Sequence, residues 1–112
     1  MNKQKVAIVT AGSKGIGAAC ARHLASEGYQ LVLMSRSDSL FAFCDKLNAR
    51  PIQGSMKDEN DIVKLVDFTF KKYGRIDAVV CNTGHASKGP LFSLTDSDWL
   101  EGVNLLLMNV VR

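Results

Sequence analysis

Apolar residues fall along this chain in two alternating rhythms. Val6 to Thr10, Leu31 to Met34 and Asp77 to Cys81 are short runs rich in β-branched side chains, the pattern of strands buried on both faces of a parallel sheet. Pro51 to Gln53 is a weaker run of the same kind and the candidate for a fourth strand. Between these runs the spacing changes to three and four. Ile16, Ala19, Cys20, His23, Leu24 and Glu27 recur at that interval, and Gly28 follows where a left-handed C-cap falls, so the first crossover is predicted to be a helix. Asp58, Glu59 and Asp61 put negative charge in the first turn of the next long helix, Ile62, Leu65, Val66 and Phe70 form its stripe, and Lys71 and Lys72 precede Gly74. Both ends suit the helix dipole. Thr95 or Asp96 caps a last helix, which carries Trp99 and the run Leu105, Leu106, Leu107, Met108, Val110 and Val111, and so reads as buried nearly all round. Strands and helices in alternation predict an α/β fold with right-handed crossovers and an open, doubly wound parallel sheet of about four strands and four helices.

Composition narrows the function. At 112 residues, with 46% hydrophobic and 22% charged residues, residues 1–112 form a single domain. The net charge of +3 comes from scattered Lys and Arg without a basic run or interleaved aromatics, which argues against nucleic acid as a partner. After the polar, basic start, the apolar stretch Val6 to Val9 is too short for a signal peptide or a membrane span. Cys20, Cys44 and Cys81 are odd in number and form no C-x-x-C pair. They read as reduced thiols of a cytoplasmic protein, filling core rather than binding metal.

Thr10 to Gly17 reads T-A-G-S-K-G-I-G, directly after the first strand and opening the first helix. This is the setting in which a Gly-rich turn binds a dinucleotide. Gly12 or Gly15 tolerates positive φ and lets backbone N–H groups of the Gly12, Ser13, Lys14, Gly15 and Ile16 segment approach a pyrophosphate, while Gly17 lets the helix pack close. About twenty residues on, where an NAD site places a carboxylate on the ribose, the second strand ends in Ser35 and Arg36. Arg36, with Lys14 opposite, suits a 2′-phosphate. NADP(H) is therefore the expected cofactor and NAD(H) the second choice, the latter through Asp38 on the ribose.

One further motif, Gly74 to Gly84 (G-R-I-D-A-V-V-C-N-T-G), completes a resemblance that runs the whole chain. With the Gly-rich turn and the basic strand end, it resembles the N-terminal half of a short-chain dehydrogenase/reductase, particularly the three-oxoacyl-carrier-protein reductase-like members, and implies a Rossmann-like sheet. In that family this segment ends in N-N-A-G, whose asparagine and glycine shape the pocket beside the nicotinamide ribose and stabilise the sheet. Asn82 and Gly84 match; Cys81 stands for the first asparagine and Thr83 for the alanine. The resemblance places Ser55 and Met56 near the adenine ring, with Ser55 where aspartate is commoner, and Ala11 where the first glycine is usual. The family's helix asparagine, seven residues after a tryptophan, corresponds to Leu106. Asn104 and Asn109 lie nearby, and Asn109 reads as a helix or interface residue, as His85 reads as a solvated loop histidine.

Family catalysis uses a tyrosine, a lysine four residues later and a serine. Tyr29 and Tyr73 lack that lysine, so no catalytic residue is assigned in this chain, and the chain is expected to be a truncated half. The parent is expected to be an NADPH-preferring oxidoreductase that reduces a ketone or acyl-thioester carbonyl of a small molecule. The inferred strand order of third, second, first, fourth leaves Ala78 to Cys81 as an apolar edge, which predicts a homo-oligomer or a complementary second half as partner. Two alternatives are a non-catalytic nucleotide-binding module and a self-associating fragment.

Overall fold

The computed structural model describes residues 4–83 and 89–111. Four parallel strands, β1 (Val6–Thr10), β2 (Gln30–Ser35), β3 (Arg50–Gln53) and β4 (Ala78–Val80), lie in the order β3-β2-β1-β4, as the sequence predicts. Ala7 of β1 sits opposite both Leu31 of β2 and Ala78 of β4. Helices α1 (Gly15–Ser26) and α2 (Ser39–Leu47) share one core cluster with Ala7, Val9, Leu31 and Leu33, whereas α3 (Glu59–Tyr73) packs with Ile8, Val32 and Met34 in another. Alternate residues of the same strands thus face opposite layers, which is why the stretches Val6 to Val9 of β1 and Leu31 to Met34 of β2 are apolar at every position. β4 departs from that expectation: it borders the sheet, Val79 is exposed and its neighbours are half-buried.

Helix α1 meets the sheet through Gly17, Ala18 and Ala21, with Leu24 and Ala25 packed beside them. The predicted stripe is therefore rotated. Ile16 is 75% exposed, and Ala19, His23 and Glu27 also face outward. The reason is distance, because small side chains let the helix axis approach the strands more closely than a stripe of large ones would. At Gly17 the approach is closest, since a Cβ there would lie 2.3 Å from the Ala11 carbonyl oxygen and 2.8 Å from Asn82 Nδ2. In α3, Ile62 and Leu65 are buried as predicted, but Thr69 completes the face by donating its hydroxyl to the Leu65 carbonyl (2.8 Å), and Val66 and Phe70 are exposed. Asp58 caps α3 by accepting from the Asn60 N–H (2.8 Å).

Beyond β4 come a 3₁₀ turn (Leu91–Ser93), α4 (Asp96–Val103), a π-helical turn (Asn104–Met108) and α5 (Asn109–Val111). Thr95 and Asp98 close α4 with a reciprocal capping box. This last helical stretch is not buried: Trp99, Leu106, Leu107, Val110 and Val111 are exposed, and Leu105 alone is seen packing against the α3-side core. Its apolar run lies on several faces, and the described residues cover only one of them. The cysteines differ in the same way. Cys44 is buried, and burial pushes its thiol up to about 11, but Cys20 is half-buried and Cys81 exposed, and all three are free. Among the described residues no helix is long and apolar enough to cross a membrane, and no group of three His, Cys, Asp or Glu side chains is placed to hold a metal.

At the opposite end of the sheet from the Gly-rich turn, the Asp77 carboxylate binds β4 to β1. Its Oδ2 accepts from the Val6 N–H (2.8 Å) and from Arg75 Nε (2.8 Å). Arg75 and then the Val6 N–H hold the Asp77 carboxyl below the usual carboxylate range. A carboxylate depressed in the folded state stabilises above its unfolded pKa, and that stabilisation disappears as pH falls through the folded value. Asp77→Asn is therefore expected to melt below the parent at neutral pH, with the gap closing once the pH is taken well under 3.8, the ordinary carboxylate value; thermal melts across pH check this. For Gly17→Ala the crowding at Ala11 and Asn82 predicts a loss of about 1–3 kcal/mol in urea unfolding.

Candidate dinucleotide site

The Gly-rich turn is built by a backbone reversal that only partly follows expectation. Gly15 has positive φ (+55°), but so does Ala11 (+49°), whereas Gly12 does not. Gly12 is constrained by space instead, since a Cβ there would approach the Val9 carbonyl oxygen to 3.1 Å. Its N–H donates to the Met34 carbonyl (3.1 Å), which ties the turn to the end of β2.

The turn is held from the β4 side by Asn82. The Thr10 hydroxyl donates to the Asn82 carbonyl oxygen (2.6 Å) and accepts from the Asn82 N–H (2.8 Å), and Asn82 Nδ2 donates to the Ala11 carbonyl (3.3 Å). Asn82 therefore acts on the turn itself, across the β1–β4 seam. The Cys81 and Thr83 departures leave this connection intact. Gly84 and His85, also singled out in the sequence, lie outside the described residues, as does the side chain of Asn109.

A cavity of about 290 Å³ opens at the carboxyl ends of β1, β2 and β3. It brings together Ser13, Lys14, Arg36, Ser55 and Met56 from the predicted set, with Gly12, Gly15 and Ile16 forming the adjoining turn and helix start. Met56 is also a core residue, packed with Ile52, Ile62 and Leu65, so it forms a floor rather than a mobile contact. Ser13 Oγ and Ser35 Oγ are hydrogen-bonded (2.8 Å), and Ser35 Oγ accepts from the Ser37 N–H (3.1 Å). Ser55 Oγ accepts from the Lys57 N–H (3.1 Å).

Sequence reasoning missed several members. Asp61 reads as a dipole acid, yet its carboxylate accepts from the Ser55 N–H (2.9 Å) and lies so near Gly54 that a Cβ there would meet Asp61 Cγ at 2.9 Å. Lys57, Thr83 and Leu105 also line the cavity. Lys57 pairs with Glu101, and Asn104 Nδ2 donates to the Lys57 carbonyl (3.4 Å), which brings the π-helical turn to the wall. Lys57 directly follows Ser55 and Met56, yet a lysine there carries no sequence signal of this role, because its pairing depends on the tertiary position of α4.

Charge and unsatisfied polarity mark what the cavity accepts. Lys14 and Arg36 have no ion-pair partner among the described residues, unlike Lys57. No side chain caps the N-terminus of α1, so its first-turn N–H groups and the positive dipole end face the turn. Thr83 Oγ1 is buried on the cavity wall without a hydrogen-bond partner. Such a site offers cationic side chains, free backbone donors and a spare hydroxyl to a phosphate- and ribose-bearing ligand.

Comparison with known proteins bears on the same site. The model of the short chain dehydrogenase family matches residues 5–112. An uncharacterized oxidoreductase of Listeria monocytogenes is 30% identical over 116 residues, covering 98% of this chain and 47% of that protein. A glucose 1-dehydrogenase of Gluconobacter oxydans is 37% identical over 106 residues, covering 88% and 40%. Among solved structures, a single-residue variant of actinorhodin polyketide ketoreductase crystallised with NADPH superposes with a TM-score of 0.91 at 30% identity, covering 97% of this chain and 44% of that one. The chain thus spans less than half the length of these relatives. With its strand order, its Gly-rich turn and a family match over nearly its full length, the chain belongs to the short-chain dehydrogenase/reductase family.

Proposed function

We propose that this chain forms the cofactor-binding part of an NADP(H)-preferring oxidoreductase that reduces a ketone or acyl-thioester carbonyl on a small molecule. The observation that carries the NADP(H) preference is that Lys14 and Arg36 both line the cavity without an ion-pair partner among the described residues. The fit of a nicotinamide dinucleotide rests on three features: the uncapped start of α1, the close packing of the turn and helix start on the strands that Gly12 and Gly17 allow, and the orphaned Thr83 hydroxyl. In this reading, first-turn backbone N–H groups from Gly15 and Ile16 hold the pyrophosphate, Arg36 and Lys14 hold the 2′-phosphate, and Ser55 and Met56 border the adenine. Asn82 keeps the turn at its height, and Thr83 borders the nicotinamide ribose. The bound cofactor supplies a hydride. The ketoreductase named above, bound to NADPH, supports the cofactor and substrate class by similarity, and the three free cysteines suit a reducing, cytoplasmic compartment.

A second reading, as a partner-binding module, is favoured by the exposed Phe92, Trp99, Leu106 and Leu107. It takes a second copy or a complementary segment as the partner. Sedimentation at rising concentration tests it: association is expected, and a strict monomer counts against it.

For the first reading, titration of NADPH and NADH against the chain is expected to give tighter, salt-sensitive NADPH binding. Arg36→Ala should weaken NADPH about 10- to 100-fold, the scale of a lost charge-assisted contact of about 1.5–3 kcal/mol, and leave NADH within about twofold. Equal loss for both dinucleotides would remove Arg36 from the 2′-phosphate.

A further inference from the structure

Gln53 is the last residue of β3 and lies opposite Ser35 in the β2–β3 ladder. Its side-chain Nε2 donates twice, to Asp38 Oδ1 (2.8 Å) and to the Arg36 carbonyl oxygen (3.1 Å). One amide therefore clasps both sides of the turn between β2 and α2. Arg36 is on the cavity wall, whereas Asp38 is not among the lining residues. Asp38 occupies the N-cap position of α2, where an aspartate ordinarily accepts from the helix start. Here its side chain makes no capping bond, and the Ser39 N–H donates instead to Ser37 Oγ (3.2 Å). No ion pair joins Arg36 to Asp38, although only one residue separates them.

These contacts assign the Asp38 carboxylate to Gln53. Released, it neutralises Arg36 and repels an anionic group bound beside it. It also becomes available to accept from ribose hydroxyls, the arrangement that favours a cofactor without the 2′-phosphate. We propose that Gln53 is a positioning residue for cofactor choice, which holds the Asp38 carboxylate off the cavity and so keeps the Arg36 guanidinium free for the 2′-phosphate. The inference rests on the NADP(H) reading above.

A residue that merely stitches β3 to the neighbouring turn would, when removed, weaken both dinucleotides together. A positioning residue acting through Asp38 changes their ratio, and only while Asp38 is charged. The test is a double-mutant cycle in the full chain, with Gln53→Leu, Asp38→Asn and the double variant, reading dissociation constants for NADPH and NADH at fixed ionic strength, with melting curves alongside. Gln53→Leu is expected to lower the NADPH-over-NADH preference about fivefold, the scale of one exposed charge interaction of up to about 1 kcal/mol. NADH affinity is expected to hold or rise, and the preference of the double variant should equal that of Asp38→Asn. Equal weakening of both dinucleotides, or the same loss of preference in the Asp38→Asn background, overturns the inference and leaves the NADP(H) reading standing. A parent chain that shows no NADPH preference overturns that reading, and the inference with it.

Discussion

The hydrogen-bond exchange between Thr10 and Asn82 fixes the geometry on which the rest of the nucleotide face depends. β4 pairs with β1 over only three residues, Ala78 to Val80, too short a ladder to set the chain direction beyond it. The Thr10 hydroxyl extends the seam by serving Asn82 as donor and acceptor at once. Asn82 then reaches forward to the Ala11 carbonyl, and Ala11 is the residue at which the chain turns through positive φ. Side chain, strand end and turn are thereby set at one height, with the start of α1 resting on them at Gly17.

Much of this architecture was legible because its physics is local. Strands buried on two faces draw on apolar residues, so β1 and β2 stood out; a strand-turn-helix with closely spaced glycines carries its own context; and of the two caps offered for the last helix, Thr95 is the one that accepts from a backbone N–H three residues on. What was not legible depends on partners distant in sequence. The buried face of α1 consists of small residues that no hydrophobic ranking favours, so the stripe drawn through Ile16 and His23 fell on the outside. Asp61 and Lys57 act at the cavity through tertiary placement, one beneath the loop after β3 and the other against α4. β4 and the last helix carry apolar residues at strand and helix spacing, but periodicity reports only a tendency to be covered, and the described residues leave those faces open.

The cavity shows how one stretch of chain separates attraction from structure. Ser13, Ser35, Ser37 and Ser39 satisfy one another and the nearby backbone N–H groups around the turn, so none of that work falls to the charged side chains between them. Lys14 and Arg36 are left with hydrated, uncommitted charge. The acids nearest the site are engaged elsewhere, Asp38 by Gln53, Asp61 by Ser55 and Glu101 by Lys57. The sign of the potential at the cavity therefore follows from which carboxylates already have a partner, more than from a count of basic residues.

The small-residue face of α1 has a mechanical consequence. Gly17, Ala18 and Ala21 act as a shim of fixed thickness between the helix and the sheet, and the free N–H groups at the helix start hang from the end of that lever. Each methyl group added along the shim would tilt the whole dipole axis, moving the anion cradle relative to the strand ends even where no side chain touches a ligand. Volume in the interior of this helix is in that sense a calibration of binding distance, so variation deep in the core can register at the nucleotide face as a change in affinity with the charges untouched.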